Sequence, residues 1–188
     1  MKRIVIFASG SGSNAENLIK FFQNSEKANV TLVATNNPYA KVLDRCKTLN
    51  IPAMSFNRDA FINTDVVLNV LKDQNPDIIV LAGFLWKFPT FILKEFPNRV
   101  INLHPALLPK FGGKGMYGMN VHKAVVDQKE SETGITIHYV NENYDEGAVI
   151  YQATCKVDEN DTAEDVAAKI HTLEMDNFPK IVDQLLNN

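Results

Sequence analysis

Apolar and polar positions along the chain follow two rhythms, and the places where one gives way to the other mark its elements. Arg3 to Ala8 is a continuous apolar run, as expected of a strand buried on both faces. Ser9-Gly10-Ser11-Gly12-Ser13 interrupts it, and from Asn14 the spacing turns helical, with Leu18, Ile19 and Phe22 on one face. Val30 to Thr35 predicts a second strand, closed by Asn36-Asn37-Pro38. Tyr39 to Leu49 reads as a helix with Val42, Leu43 and Cys46 inward, and Ile51 to Phe56 as a third strand. A helix over Asp65 to Lys72 precedes the β-branched run Ile78 to Ala82, which Gly83 breaks. Pro89 to Phe96 predicts a short helix, and Arg99-Val100-Ile101 a strand that leads into Asn102-Leu103-His104-Pro105.

Past that point the alternation changes. Lys110 to Asn120 carries four glycines and reads as a loop, and Val121 to Val126 as a helix. Ile135 to Tyr139 alternates at period two, and Val149 to Val157 is a further strand behind a turn at Asn143 to Gly147. A last helix runs from Thr162 towards Leu186, with Glu164 at the capping-box position after Asp161. Pro179 is expected to bend or interrupt it. Strands alternating with helices predict an α/β fold: a doubly wound, mostly parallel, Rossmann-like sheet with an antiparallel C-terminal extension. With no internal repeat or linker, residues 1–188 read as a single domain.

Composition narrows the classes. A hydrophobic content of 45% with 22% charged residues is that of an ordinary globular protein. The net charge of −3 leaves no basic footprint for nucleic acid and no polybasic patch for a membrane. The opening apolar run ends at Gly10, too soon for a signal peptide, and no window approaches a membrane span. Cys46 and Cys155 lie far apart without metal-ligand spacing and read as reduced, buried thiols. A cytoplasmic protein is expected, with no metal site.

Candidate chemistry centres on Asn102 and His104. Two apart on a strand, they point to the same face, and Pro105 and Pro109 then stop any regular continuation. That places an amide donor beside a titratable imidazole at the carboxyl end of a strand, where open α/β sheets bind ligands. For an isolated Asn-x-His, a capping Asn beside a half-exposed His is the better reading, and the flanking prolines move the balance towards catalysis. Upstream, Gly10-Ser11-Gly12-Ser13-Asn14-Ala15 fits G-x-G-x-x-A between a strand and a helix, a place that suits an anion. Asn36 and Asn37 stand where a dinucleotide site would need an acid, and no G-K-[ST] follows. The loop therefore reads as a cradle for a monophosphate. Glu174 sits four residues from both Ile170 and Phe178, beside the buried stripe of its helix, and so calls for a partner.

Taken together, these segments give a resemblance. Ser9 to Asn14, Pro76 to Phe84, Asn102 to Pro109, Gly134 to Val140, Asp145 to Ile150 and Glu174 make the chain similar to the folate-dependent formyltransferases. The Asn102 to Pro109 stretch with a downstream Asp-x-Gly carries the superfamily. The glycine-rich opening and the length point to the branch acting on glycinamide ribonucleotide in purine synthesis. The resemblance implies catalytic roles for Asn102, His104 and Asp145. It implies phosphate contacts at Gly12, Ser13 and Asn14, and a further substrate-binding segment at His171, Thr172, Leu173 and Glu174. Its 10-formyltetrahydrofolate cosubstrate would contact Leu85, Trp86, Lys87 and Phe88, the Asn141, Glu142, Asn143, Tyr144 and Asp145 loop, Asn102, and also Arg58. Ala106 and Ala148 stand where the family frequently has Ser and Pro, and the 110–120 loop is longer and richer in glycine.

The activity implied is direct formyl transfer to the glycinamide amine without a Cys or Ser nucleophile. Asn102 would bind the oxyanion, and His104, its pKa raised by Asp145, would assist it and protonate the leaving folate nitrogen. The alternatives are other formyl-folate enzymes, a hydrolase, a sugar formyltransferase or a methionyl-tRNA formyltransferase, and a non-catalytic nucleotide-binding module on the same scaffold. The hydrolase and the tRNA enzyme are expected to carry an extra domain, so an acidic chain ending at Asn188 fits neither. Among the remaining histidines, His122 is expected at the edge of the core, His138 beneath the site and His171 in solvent.

Overall fold

In the computed structural model, which describes residues 1–187, seven strands form one sheet in the order β3-β2-β1-β4-β5-β6-β7. Strands β1 (Lys2–Phe7), β2 (Ala28–Thr35), β3 (Ala53–Ser55), β4 (Ile78–Leu81) and β5 (Val100–His104) are parallel. Strands β6 (Glu132–Tyr139) and β7 (Val149–Lys156) extend the sheet antiparallel. The helices between them are α1 (Ser13–Phe22), α2 (Lys41–Thr48), α3 (Arg58–Ile62), α4 (Val66–Gln74), α5 (Thr90–Glu95) and α6 (Met119–Asp127). The last element is α7 (Ala163–Asn187). The chain winds outward from β1 in both directions, so a crevice opens at the carboxyl ends of β1 and β4.

Alternation along the central strands feeds two cores. Ile4, Ile6 and Ala8 face the layer that holds α1, α2 and α7, while Val5 and Phe7 face the opposite one. In that second layer Phe7 packs edge-on against Phe56, Phe84 and Phe88 at 5.2–5.8 Å between ring centroids. Edge-to-face geometry adds about 0.5–1.5 kcal/mol per pair beyond area burial. This aromatic block underlies the segment that follows β4.

Helix α7 runs on through Pro179 without the interruption that the sequence offered as one outcome. Proline removes the N–H that would bond the carbonyl four residues back. That carbonyl, on Met175, instead accepts from Asn17 Nδ2 of α1 at 2.9 Å, so the helix loses no partner there. Helix α3 was not anticipated. It spans five residues and is opened by Asn57, whose side chain accepts from the Ala60 N–H at 2.8 Å. The connection between β6 and β7 covers 140–148, longer than the expected turn. Cys46 is buried and Cys155 half-buried, and both thiols are free, with burial pushing Cys46 up to about 11. No described helix is long and apolar enough to cross a membrane.

Candidate active site

The crevice is a cavity of about 440 Å³ lined from three strand ends, with the glycine-rich turn at one end and the segment after β4 at the other. At the first end Gly12 adopts φ +73° as the N-cap of α1, and no side chain caps the orphan amides of that first turn. Arg45 of α2 donates from Nε to the Ser11 carbonyl at 2.7 Å and pairs with Glu16, which ties down the loop's back. A Cβ on Gly12 would meet Val42 Cβ at 2.6 Å, so glycine is demanded here by α1–α2 packing as well as by φ. Asn14 Nδ2 donates to Glu174 Oε2 at 2.8 Å, which closes α7 onto the turn. Burial raises the Glu174 carboxyl above its ordinary range, opposed by that hydrogen bond and by His171 at 3.7 Å.

At the other end Ser9 Oγ accepts from the Leu85 N–H at 2.9 Å and folds the post-β4 segment over the cavity. Leu85, Trp86, Lys87 and Phe88 line it, facing Asn141, Asn143 and Tyr144. Arg58 does not line the cavity: its guanidinium stacks on Trp86, 5.7 Å from the ring centroid. Glu142 points instead to a shallow depression beside Thr90 and Lys94. On α7, Leu173 packs against the core, Thr172 donates back to the Ala168 carbonyl, and His171 is half exposed. Helical geometry turns only Glu174 of that segment into the cavity.

Asn102, His104 and Asp145 meet in the middle. Strand β5 puts Asn102 and His104 on one face, as their spacing predicts. Asp145, in the left-handed region at φ 55°, reaches them from the β6–β7 connection. Its Oδ2 accepts from the Gly113 N–H at 2.8 Å and lies 3.7 Å from His104 Nδ1. Burial pushes the Asp145 carboxyl up. The neighbouring His138 and His104 rings and the Gly113 amide outweigh burial and hold it below the usual carboxylate range. His104 differs from expectation: burial of the ring pulls its pKa below the ordinary value, and the Asp145 charge only partly offsets this. The ring is therefore neutral, with Nε2–H donated to the Phe111 carbonyl at 2.8 Å.

Two further histidines belong to this cavity. His138 was expected beneath the site. The β5–β6 register instead sets it opposite Asn102, whose Nδ2 is 3.1 Å from His138 Nε2, and its Nε2 lies 3.7 Å from Asp145 Oδ1. His122, expected at the core edge, lines the cavity from α6, its pKa pulled below the ordinary value by burial, and its Nδ1 has no hydrogen-bond partner among the described residues. Period-two alternation identifies the face His138 occupies within its strand, but the strand pairing that faces it to Asn102 is a tertiary fact. Among the described residues no group of three or more His, Cys, Asp or Glu is placed to hold a metal ion.

A glycine-rich turn, an amide, an imidazole and a carboxylate converging at the switch point of this sheet define a group-transfer enzyme of the formyl transferase kind. The chain belongs to that family, whose model matches residues 2–182. Within it, the chain is 32% identical to phosphoribosylglycinamide formyltransferase of Bacillus subtilis, over 99% of this chain and 95% of the relative. It is 36% identical to the chloroplastic phosphoribosylglycinamide formyltransferase of Arabidopsis thaliana, over 90% of this chain, and spans 60% of that relative's length. The crystal structure of phosphoribosylglycinamide formyltransferase from Bacillus halodurans superposes with a TM-score of 0.87 at 34% identity, covering 98% of this chain and 95% of that one.

Proposed function

We propose that this chain transfers the formyl group of 10-formyltetrahydrofolate to the amine of glycinamide ribonucleotide in purine synthesis, acting as one domain over 1–188 in the cytoplasm. The observation that carries the reading is the meeting of Asn102, His104 and Asp145 midway along a cavity whose two ends differ in chemistry. The glycine-rich turn, with Gly12, Ser13 and Asn14, offers amides to a phosphate, and Glu174 beside it offers an acceptor to ribose hydroxyls. Trp86, Phe88 and Tyr144, with Leu85, Lys87, Asn141 and Asn143, offer a flat apolar slot with a polar rim to a pterin. The reacting atoms then lie over β5.

The amine lone pair forms a bond to the formyl carbon, and the carbonyl π pair moves onto oxygen. Asn102 donates a side-chain N–H to that oxyanion, worth about 3–4 kcal/mol in comparable oxyanion holes. Asp145, held ionised by its neighbours, accepts the proton that the attacking nitrogen sheds. His104 gives its Nε2 proton to folate N10 as the carbon–nitrogen bond breaks, and takes at Nδ1, which faces Asp145, the proton that Asp145 has accepted, so the ring ends neutral and the carboxylate ionised. For His104 Nε2–H to serve, the Phe111 carbonyl must withdraw, and the glycines at 112, 113, 115 and 118 give its loop the freedom to do so. The test is to incubate the protein with 10-formyltetrahydrofolate, with and without glycinamide ribonucleotide, and follow deformylation. Turnover that needs the ribonucleotide is expected. Equal turnover without it would favour hydrolysis.

A further inference from the structure

Building on that reading, we propose that His138 is a positioning residue: it fixes which edge of the Asn102 carboxamide faces the reacting oxygen. A carboxamide has two edges of the same shape and opposite polarity, and only the N–H edge serves an oxyanion. What decides between them is the partner of Asn102. That partner is His138 Nε2, 3.1 Å from Asn102 Nδ2.

The tautomer of His138 is set by the backbone. His138 Nδ1 lies 2.9 Å from the Tyr139 carbonyl oxygen. A carbonyl only accepts, so Nδ1 carries the hydrogen, and in a neutral ring Nε2 is then a bare acceptor. A bare acceptor takes only the N–H edge of Asn102. One of the two Nδ2 hydrogens is thereby spent on His138 and the second is left for the cavity, which Asn102 lines. The opposite tautomer would turn the amide by half a rotation and present a lone pair where an oxyanion must form. Asp145 Oδ1, at 3.7 Å from Nε2, is beyond hydrogen-bond reach and does not compete for that nitrogen.

Two independent features hold the Tyr139 carbonyl in place. The β6–β7 ladder shifts register between Ile137 and His138, and such a bulge re-aims side chains beside active sites. Gly147 passes directly against this carbonyl. A Cβ there would collide with the Tyr139 oxygen and stand 3.4 Å from His138 Nδ1, so only glycine leaves the contact open.

The decisive measurement is long-range ¹H–¹⁵N NMR of the imidazoles in the ¹⁵N-histidine-labelled protein. At neutral pH His138 should show a protonated Nδ1 and a bare Nε2, and hydrogen on Nε2 would overturn the proposal. In kinetics, His138→Leu should lower kcat by roughly 10- to 100-fold while leaving KM for both substrates nearly unchanged. His138→Gln, whose carboxamide oxygen accepts the same N–H, should recover part of it. In an Asn102→Ala background His138→Leu should cost little more, because the two residues act as one unit. Equal losses in both backgrounds would make His138 a merely structural residue. Wild-type protein that does not turn over sinks the formyl-transfer reading, whereas turnover with hydrogen on His138 Nε2 sinks this proposal alone.

Discussion

The Phe111 carbonyl oxygen lies 2.8 Å from His104 Nε2, so the ring is engaged on the side away from Asp145 while the carboxylate stands 3.7 Å from Nδ1. His104 is held as a neutral ring between a loop that must move and a charge that must stay.

Replacing Asp145 with Asn keeps the shape and removes the charge that partly offsets burial, so the His104 pKa should fall further below its ordinary value. The linkage follows from the direction of the shift. With the folded pKa depressed, this contribution to stability is fully present above the unfolded value, about 6.5, and is lost as pH falls towards the folded one. The variant should extend that acid loss to lower pH. Its kcat should drop roughly 100-fold or more with substrate binding largely kept. NMR titration of His104 in both proteins checks the coupling. An unchanged titration with near-normal turnover would reduce Asp145 to a turn residue.

At the ribonucleotide end, Glu174→Gln keeps the reach to Asn14 but gives up a charged acceptor. The KM for the ribonucleotide should rise roughly 10- to 100-fold, the worth of a charge-assisted hydrogen bond, while the folate KM stays put. Steady-state kinetics with each substrate varied in turn would show it. A rise in the folate KM alone would mean that the two ends have been assigned in reverse.

Gly12→Val tests packing against ligand approach. The added side chain would drive into Val42 and hold a β-branched residue at φ +73°. Overpacking at about 1–3 kcal/mol and the left-handed backbone at about 1–2 kcal/mol should together lower Tm by roughly 5–15 °C. Calorimetry of the unliganded protein reads this directly. An unchanged Tm with a raised ribonucleotide KM would assign Gly12 to the anion alone.

Trp86 is the sole tryptophan of the chain and lines the slot proposed for the pterin, so its fluorescence should change with formyl folate and not with the ribonucleotide. Arg58 touches that ring without reaching the cavity. Arg58→Ala should therefore raise the folate KM by no more than about fivefold, the worth of one cation–π contact. A loss of folate binding comparable to that of Trp86→Ala would place Arg58 on the ligand itself.

Much of this architecture is legible in the sequence because buried parallel strands are continuous apolar runs and their crossover helices carry an apolar stripe. Arg3 to Ala8 and Ile78 to Ala82 declare themselves in this way. Asn102, His104 and the glycine-rich turn are legible for a related reason: each sits where a run of β-branched residues stops. Helix α3 was not, since five residues are too few to establish a period and its start rests on a single cap at Asn57. In α7 the carbonyl that Pro179 leaves without a partner, on Met175, is bonded by Asn17, 158 residues before Met175, and no local pattern shows that. His138 and His122 enter the site through strand register and helix packing. The same holds for the His104 pKa, because a nearby carboxylate is visible in sequence order but the depth of burial that outweighs it is not.

The bond from Asn14 to Glu174 joins residues 160 apart, one near the start of the chain and one near its end. On the ribosome, the glycine-rich turn is made first and waits through almost the whole of synthesis for its counterpart. Until α7 is made, Ile4, Ile6 and the apolar face of α1 lack the Val166, Ile170 and Phe178 side chains that cover them. The end of the cavity proposed for the acceptor is thus the last to be completed. A truncated product that has lost α7 would be expected to expose that core face and fail to fold, rather than keep half of the cavity.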